Sequence, residues 1–162
     1  MNMKKLIVTL VVALITFFGY NSLNAQNMKK EEVPQNISAF PIGEENVGFK
    51  QYFTGESWLA RLTSNKDLNV PMSNVTFEPG CRNNWHIHHK GGQILLCTAG
   101  RGYYQEWGKE AQELHPGDVV NIPPEVKHWH GAAKDSWFAH LAVEVPAEGA
   151  SNEWLEVVNE ED

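Results

Sequence analysis

The segment GCRNNWHIHHKGGQILLCTAG, residues 80–100, carries three candidate metal ligands, His86, His88 and Gln93, close together in the chain. In a β-strand successive side chains point to opposite faces, so residues two apart share a face. On a strand, His86 and His88 therefore aim both imidazoles into one space. Lys90-Gly91-Gly92 is a turn signal, and the apolar run Ile94–Cys97 after it reads as a second strand. The segment predicts a hairpin whose returning arm starts at Gln93, beside both histidines.

The same alternation extends outward on both sides. Ser57–Leu62 reads as a strand, and so does Met72–Glu78, where Ser73, Val75 and Phe77 share the expected inner face. Phe40–Gly55 reads as loop with one brief strand. After Gly100 the expected strands are 102–107, 111–114, 119–122 and a long alternating one at 137–145. A last strand is expected at 154–158. Gly and Pro turns punctuate them, and no stretch has a helical period. Short strands at regular spacing predict a single all-β sandwich or barrel.

The ends are different in kind. Residues 1–25 combine a basic start at Lys4 and Lys5, an apolar run from Leu6 to Phe18 and the small-residue site Leu23-Asn24-Ala25. This is the pattern of a cleaved secretory signal peptide, and the apolar run is shorter than the ~20 residues a membrane span requires. An uncleaved anchor is the alternative. Cleavage after Ala25 sends the chain to the periplasm or the medium and leaves no membrane partner. Residues 26–38 form a polar lead-in, and 39–162 form the domain. Twenty acidic against thirteen basic residues give a net charge of −7, which argues against nucleic acid as a partner. In an oxidising compartment Cys81 and Cys97, on the two arms of the hairpin, either pair or remain two buried thiols.

A second histidine pair, His128 and His130, repeats the i, i+2 spacing beside another turn. Two such pairs point to metal ligation, since neutral imidazole is the commonest ligand for Mn, Fe, Co, Ni and Zn. His89 and His115 read as exposed turn residues.

The spacing of these residues resembles that of the cupins. Gly80, His86-x-His88, Gln93 and Gly100 are similar to the first cupin motif, and Gly117, Pro123 and His128 to the second. The resemblance implies a jelly-roll barrel of the double-stranded β-helix type. It also implies a divalent metal held by His86, His88, Gln93 and His128. Two positions depart from the family pattern: Gln93 replaces a glutamate and Glu125 a glycine. An amide in place of a carboxylate leaves a divalent ion its full charge and makes it a stronger Lewis acid. Gln93→Glu is expected to keep the metal, because a carboxylate is usual there. The change at Glu125 is expected to alter a turn and little else.

Trp85, the His128–Ala133 run and His140-Leu141-Ala142 narrow the resemblance to small bacterial cupins that include manganese-dependent hydroxynitrile lyases and carboxymuconolactone-decarboxylase-like proteins. That resemblance implies manganese, and a carbon–carbon lyase acting on a small cyanohydrin, hydroxy or carbonyl substrate. It makes His140 the acid–base residue. Phe138, His140, Ala142 and Glu144 share a strand face. His130, Ser73, Val75, Phe77 and Glu144 are expected around the ligands or the substrate. Alternatives from other classes are an Fe or Ni dioxygenase and a non-enzymatic binding module. His140 as a core histidine bonded to Glu144 is the alternative for that residue. A homodimer or larger assembly is expected, because a lone small barrel leaves strand edges uncovered.

Overall fold

The computed structural model describes residues 32–63 and 69–159. The chain divides into Met1–Val33 and a compact unit, Pro34–Asp162. The expected signal peptide lies outside the described residues.

Among the described residues, thirteen strands fold the second unit into two sheets. The first sheet holds β1 (Glu44–Glu45), β3 (Ser57–Arg61), β4 (Met72–Phe77), β12 (Phe138–Val145), β7 (Gly92–Gly100) and β10 (Val119–Ile122). Their order is β1-β3-β4-β12-β7-β10, and every pairing is antiparallel. In the second sheet β11 (His128–Ala132) is central. It pairs with β6 (His86–His89) and β5 (Arg82–Asn83) and with β8 (Gly102–Glu106). Beyond these lie β13 (Ser151–Trp154), β2 (Phe53–Thr54) and β9 (Gln112–Leu114). Val75, Phe77, Leu95, Leu114, Ile122 and Phe138 fill the core. A smaller cluster of Trp85, Trp129 and Val158 packs apart from it.

One expectation about the central segment is corrected. β6 and β7 do not pair as a hairpin, because they belong to different sheets. The turn at Lys90–Gly91 carries the chain from one sheet to the other. Lys90 there has φ +64°, and Gly91 lies so close to β12 that a Cβ on it would meet the Val145 carbonyl at 2.4 Å. His86 and His88 on β6 thus face Gln93 on β7 from the other sheet. Gly and Pro turn chemistry is the same for both connections, so the sequence pattern does not separate them.

Smaller differences follow from local packing. The tail strand is β13, ending at Trp154 where the expected strand began. Val47–Tyr52 forms a 3-10 turn in place of loop. Cys81 and Cys97 are both buried and unpaired, which settles that alternative for the thiols. Burial raises the pKa of both, Cys97 to about 11.

Gly100 closes the first motif at φ +68°, and a Cβ there would lie 1.7 Å from the Trp137 carbonyl oxygen. Neither the backbone nor the neighbouring strand accepts a side chain. Gly100→Ala is expected to destabilise the protein by about 3 kcal/mol or more, the sum of left-handed strain and overpacking. Urea denaturation of the variant checks it.

Candidate metal centre

His86 and His88 alternate inward on β6, and β11 sets His128 directly opposite His86. Facing residues in an antiparallel pair point to the same side. The three imidazoles are therefore gathered on one inner face. Their ring centroids lie 4.1 Å (86–128), 5.2 Å (86–88) and 5.4 Å (88–128) apart. One nitrogen from each ring falls within 4.8 Å of the others.

The other nitrogen of each ring is committed elsewhere. His86 Nδ1 lies 3.0 Å from the Asn84 carbonyl oxygen and His128 Nδ1 lies 2.9 Å from that of Val126. His88 Nδ1 lies 3.0 Å from Glu144 Oε2. All three partners are acceptors, so each Nδ1 carries the proton and donates it. That assignment leaves Nε2 with its lone pair free, the form in which imidazole ligates.

Gln93 reaches the same cavity from the opposite sheet. β7 and β12 pair Gln93 with Glu144, and the amide Nε2 donates to Glu144 Oε1 at 2.7 Å. The amide oxygen is thereby turned inward. His88 Nε2, His128 Nε2 and Gln93 Oε1 are all buried without a hydrogen-bond partner. Orphaned buried acceptors are costly, and the gathering of one nitrogen from each of the three imidazoles within 4.8 Å fits a cation. The donor set, nitrogen plus a hard oxygen, suits a divalent transition metal. Burial also lowers the pKa of His86 and His128, that of His128 to about 4, so both are neutral at pH 7.

Glu144 has a role that spacing alone did not suggest, since one carboxylate orients both His88 and Gln93. It also supplies a negative charge one hydrogen bond outside the ligand set, where the family pattern has glutamate as the ligand itself. His140 does not bond to Glu144. Its Nε2 lies 3.1 Å from His130 Nδ1, and its Nδ1 is buried without a partner. Asn83, a residue no sequence signal marked, anchors His130 by accepting from its backbone N–H at 3.0 Å. The Asn83 side-chain amide lies 3.1 Å from the His130 ring. Phe77 and Phe138 pack on His140, each with its ring centroid 5.5 Å away.

A cavity of about 260 Å³ opens onto this array. His86, His88, Gln93, His130, Ser73, Val75 and Glu144 line it. His128, Phe77 and His140 are enclosed behind that wall. Trp154, also unmarked in the sequence, stacks on His86 at 4.8 Å and helps wall the cavity with Phe49 and Phe53.

His89 and Glu125 lie outside the cavity. Glu125 sits at φ +67°, the backbone region that explains the usual glycine. Its carboxylate accepts from the Lys90 backbone N–H at 2.9 Å and contacts His89 Nδ1 at 2.6 Å. The change at this position therefore adds a clip across the inter-sheet turn.

His140 gives the fold a pH dependence. Burial lowers its pKa from 6.5 to about 4, so the unfolded chain binds more protons between those values. The stability contributed by the neutral ring is complete above pH 6.5 and is lost as pH falls toward 4. The urea midpoint of metal-free protein is expected to drop across that window, and less steeply in His140→Gln.

Comparison with known proteins agrees with this architecture. Residues 73–144 match the cupin domain family. The chain is 43% identical over 115 residues to an (R)-mandelonitrile lyase of Granulicella tundricola, covering 70% of this chain and 87% of that protein. A cupin-like protein from Thermotoga maritima superposes with a TM-score of 0.70 at 43% identity, covering 76% of this chain and 92% of the other. An acireductone dioxygenase of Bacillus pumilus is 20% identical over 139 residues, covering 83% of this chain and 72% of that protein. A histidine cluster on the inner face of one sheet of a two-sheet barrel, with these relatives, places the chain in the cupin family.

Proposed function

We propose that the protein is a metal-dependent lyase of the hydroxynitrile type, cleaving or forming a carbon–carbon bond next to an oxygen. The observation that carries this reading is the gathering of His86, His88 and His128 beside an open cavity that Gln93 also lines. The Granulicella lyase, 43% identical, supports the reaction class. When bound, a divalent ion supplies Lewis acidity toward a substrate oxygen. Manganese is the ion we propose, on the resemblance to manganese-dependent hydroxynitrile lyases, since the nitrogen and oxygen donors alone admit Mn, Fe, Co, Ni and Zn.

The chain's own residues do the rest. Trp154, Phe49 and Phe53 hold an apolar substrate body, and Glu144 keeps His88 and Gln93 in their ligating orientation. His130 lines the cavity and His140 stands behind it, so we assign proton movement to this pair, with His140 as the acid–base residue. Burial holds His140 well below the near-neutral value that role ordinarily uses.

The test is elemental analysis of the purified protein, followed by cyanide release from mandelonitrile with and without oxygen. Metal-dependent, oxygen-independent release supports the lyase. Turnover that consumes oxygen favours the dioxygenase alternative, and bound metal with no turnover favours a binding module. We further propose an exported homodimer, supported by the signal-like residues 1–25 and by uncovered strand edges. A monomer by light scattering at micromolar concentration overturns the dimer.

The contact between Gln93 and Glu144 revises one expectation. Gln93→Glu sets a second carboxylate against Glu144, so it is now expected to weaken metal binding. Exchanging the pair, Gln93→Glu with Glu144→Gln, is expected to restore metal content toward wild type. Metal analysis of the single and double variants checks this.

A further inference from the structure

Arg61 ends β3, and the β3–β4 register sets it opposite Ser73, as it sets Leu59 opposite Val75. All four residues line the cavity. The sequence has three arginines. Arg82 donates to the Val158 carbonyl oxygen at 3.1 Å, and Arg101 pairs with Glu113 and Asp135. Arg61 has no partner among the described residues, although the chain carries an excess of carboxylates. The neighbouring Ser73 hydroxyl is likewise unpartnered. Apart from the histidines, the other charged side chain in the wall is Glu144, which is committed to His88 and Gln93.

Position adds to chemistry. Along the first sheet Arg61 on β3 and Gln93 on β7 are separated by β4 and β12. The pairings set Arg61 level with Leu95, so three strand spacings and a two-residue offset put the Arg61 and Gln93 backbones roughly 16 Å apart along the sheet. Both side chains line the cavity between them, together with the aromatic wall of Phe49, Phe53 and Trp154.

We propose that Arg61 is an anion subsite, and that the substrate carries a carboxylate seated on it in addition to the oxygen held at the metal centre. The substrate class is then a small aromatic or branched acid whose carbonyl or hydroxyl group stands apart from its carboxylate. Guanidinium suits this task because its planar fork matches a carboxylate. The subsite rests on reading the metal centre as the place where a substrate oxygen binds.

Calorimetry on the metal-loaded protein tests it with two probes, 4-carboxybenzaldehyde and benzaldehyde. Wild type is expected to bind the acid roughly fivefold to thirtyfold more tightly, the worth of one charge-assisted contact near the surface. Rising ionic strength is expected to shrink that preference. In Arg61→Gln the ratio is expected to fall to about one, with benzaldehyde affinity and metal content kept, and Arg61→Lys is expected to retain part of it. Equal affinities in wild type overturn the subsite. So does a preference that survives Arg61→Gln, because the carboxylate is then held at the metal. An equal loss of both probes also overturns it, since the substitution then disturbs the cavity as a whole. Cyanide release from mandelonitrile by wild type judges the lyase reading separately, so the two can fail independently.

Discussion

His128→Ala is expected to lose its bound metal and, with it, measurable turnover, while the two sheets remain folded. His128 is wholly buried, stands in register with His86, and has its Nδ1 committed to the Val126 carbonyl. No other side chain can move into its place, because β11 fixes the position and His130 points its ring toward Asn83 and His140. Loss of an orienting contact outside the ligand set typically costs 10- to 100-fold in metal affinity, so loss of a ligand itself should cost at least ~100-fold. His86→Ala and His88→Ala are expected to behave alike. Metal analysis after dialysis, with circular dichroism to confirm folding, gives the readout. Full occupancy in any two of the three variants would falsify the site.

His140→Gln is expected to keep its metal and to lose about 10²- to 10⁴-fold in rate. The glutamine preserves a polar contact toward His130 but cannot take up and release a proton near neutral pH. It is the better probe than His140→Ala, which also opens a cavity between Phe77 and Phe138 and so costs stability. Metal loss in His140→Gln would make His140 part of the ligand set. Unchanged turnover would mean the proton travels without it, and His130→Gln then identifies the route, since His130 lines the cavity wall directly.

Much of the site was legible because strand alternation is a local property. Two residues apart on a strand means one face, so the pairs 86/88 and 128/130 could be placed without tertiary information, as could Ser73 and Val75. The fold class was legible for a related reason, as turn residues at short intervals exclude long helices. The candidacy of the paired histidines as metal ligands followed from residue type, since neutral imidazole is the commonest side-chain ligand.

What the sequence could not carry was the identity of each strand's neighbours. Gly and Pro signals mark where the chain turns, not which sheet it turns into. The segment around Lys90–Gly91 was therefore read as a hairpin when it crosses the barrel. The double grip of Glu144 on His88 and Gln93 depends on β12 lying in register with β7, residues far apart in the chain. Asn83 beside His130, Trp154 on His86 and Arg61 over the cavity are likewise products of pairing between distant strands. The sequence by itself determined the donors and the faces they occupy, because those depend on residue type and a two-residue period. Only the tertiary structure decided which donors meet, which nitrogen of each ring is left free, and what stands at the mouth, because those depend on long-range register.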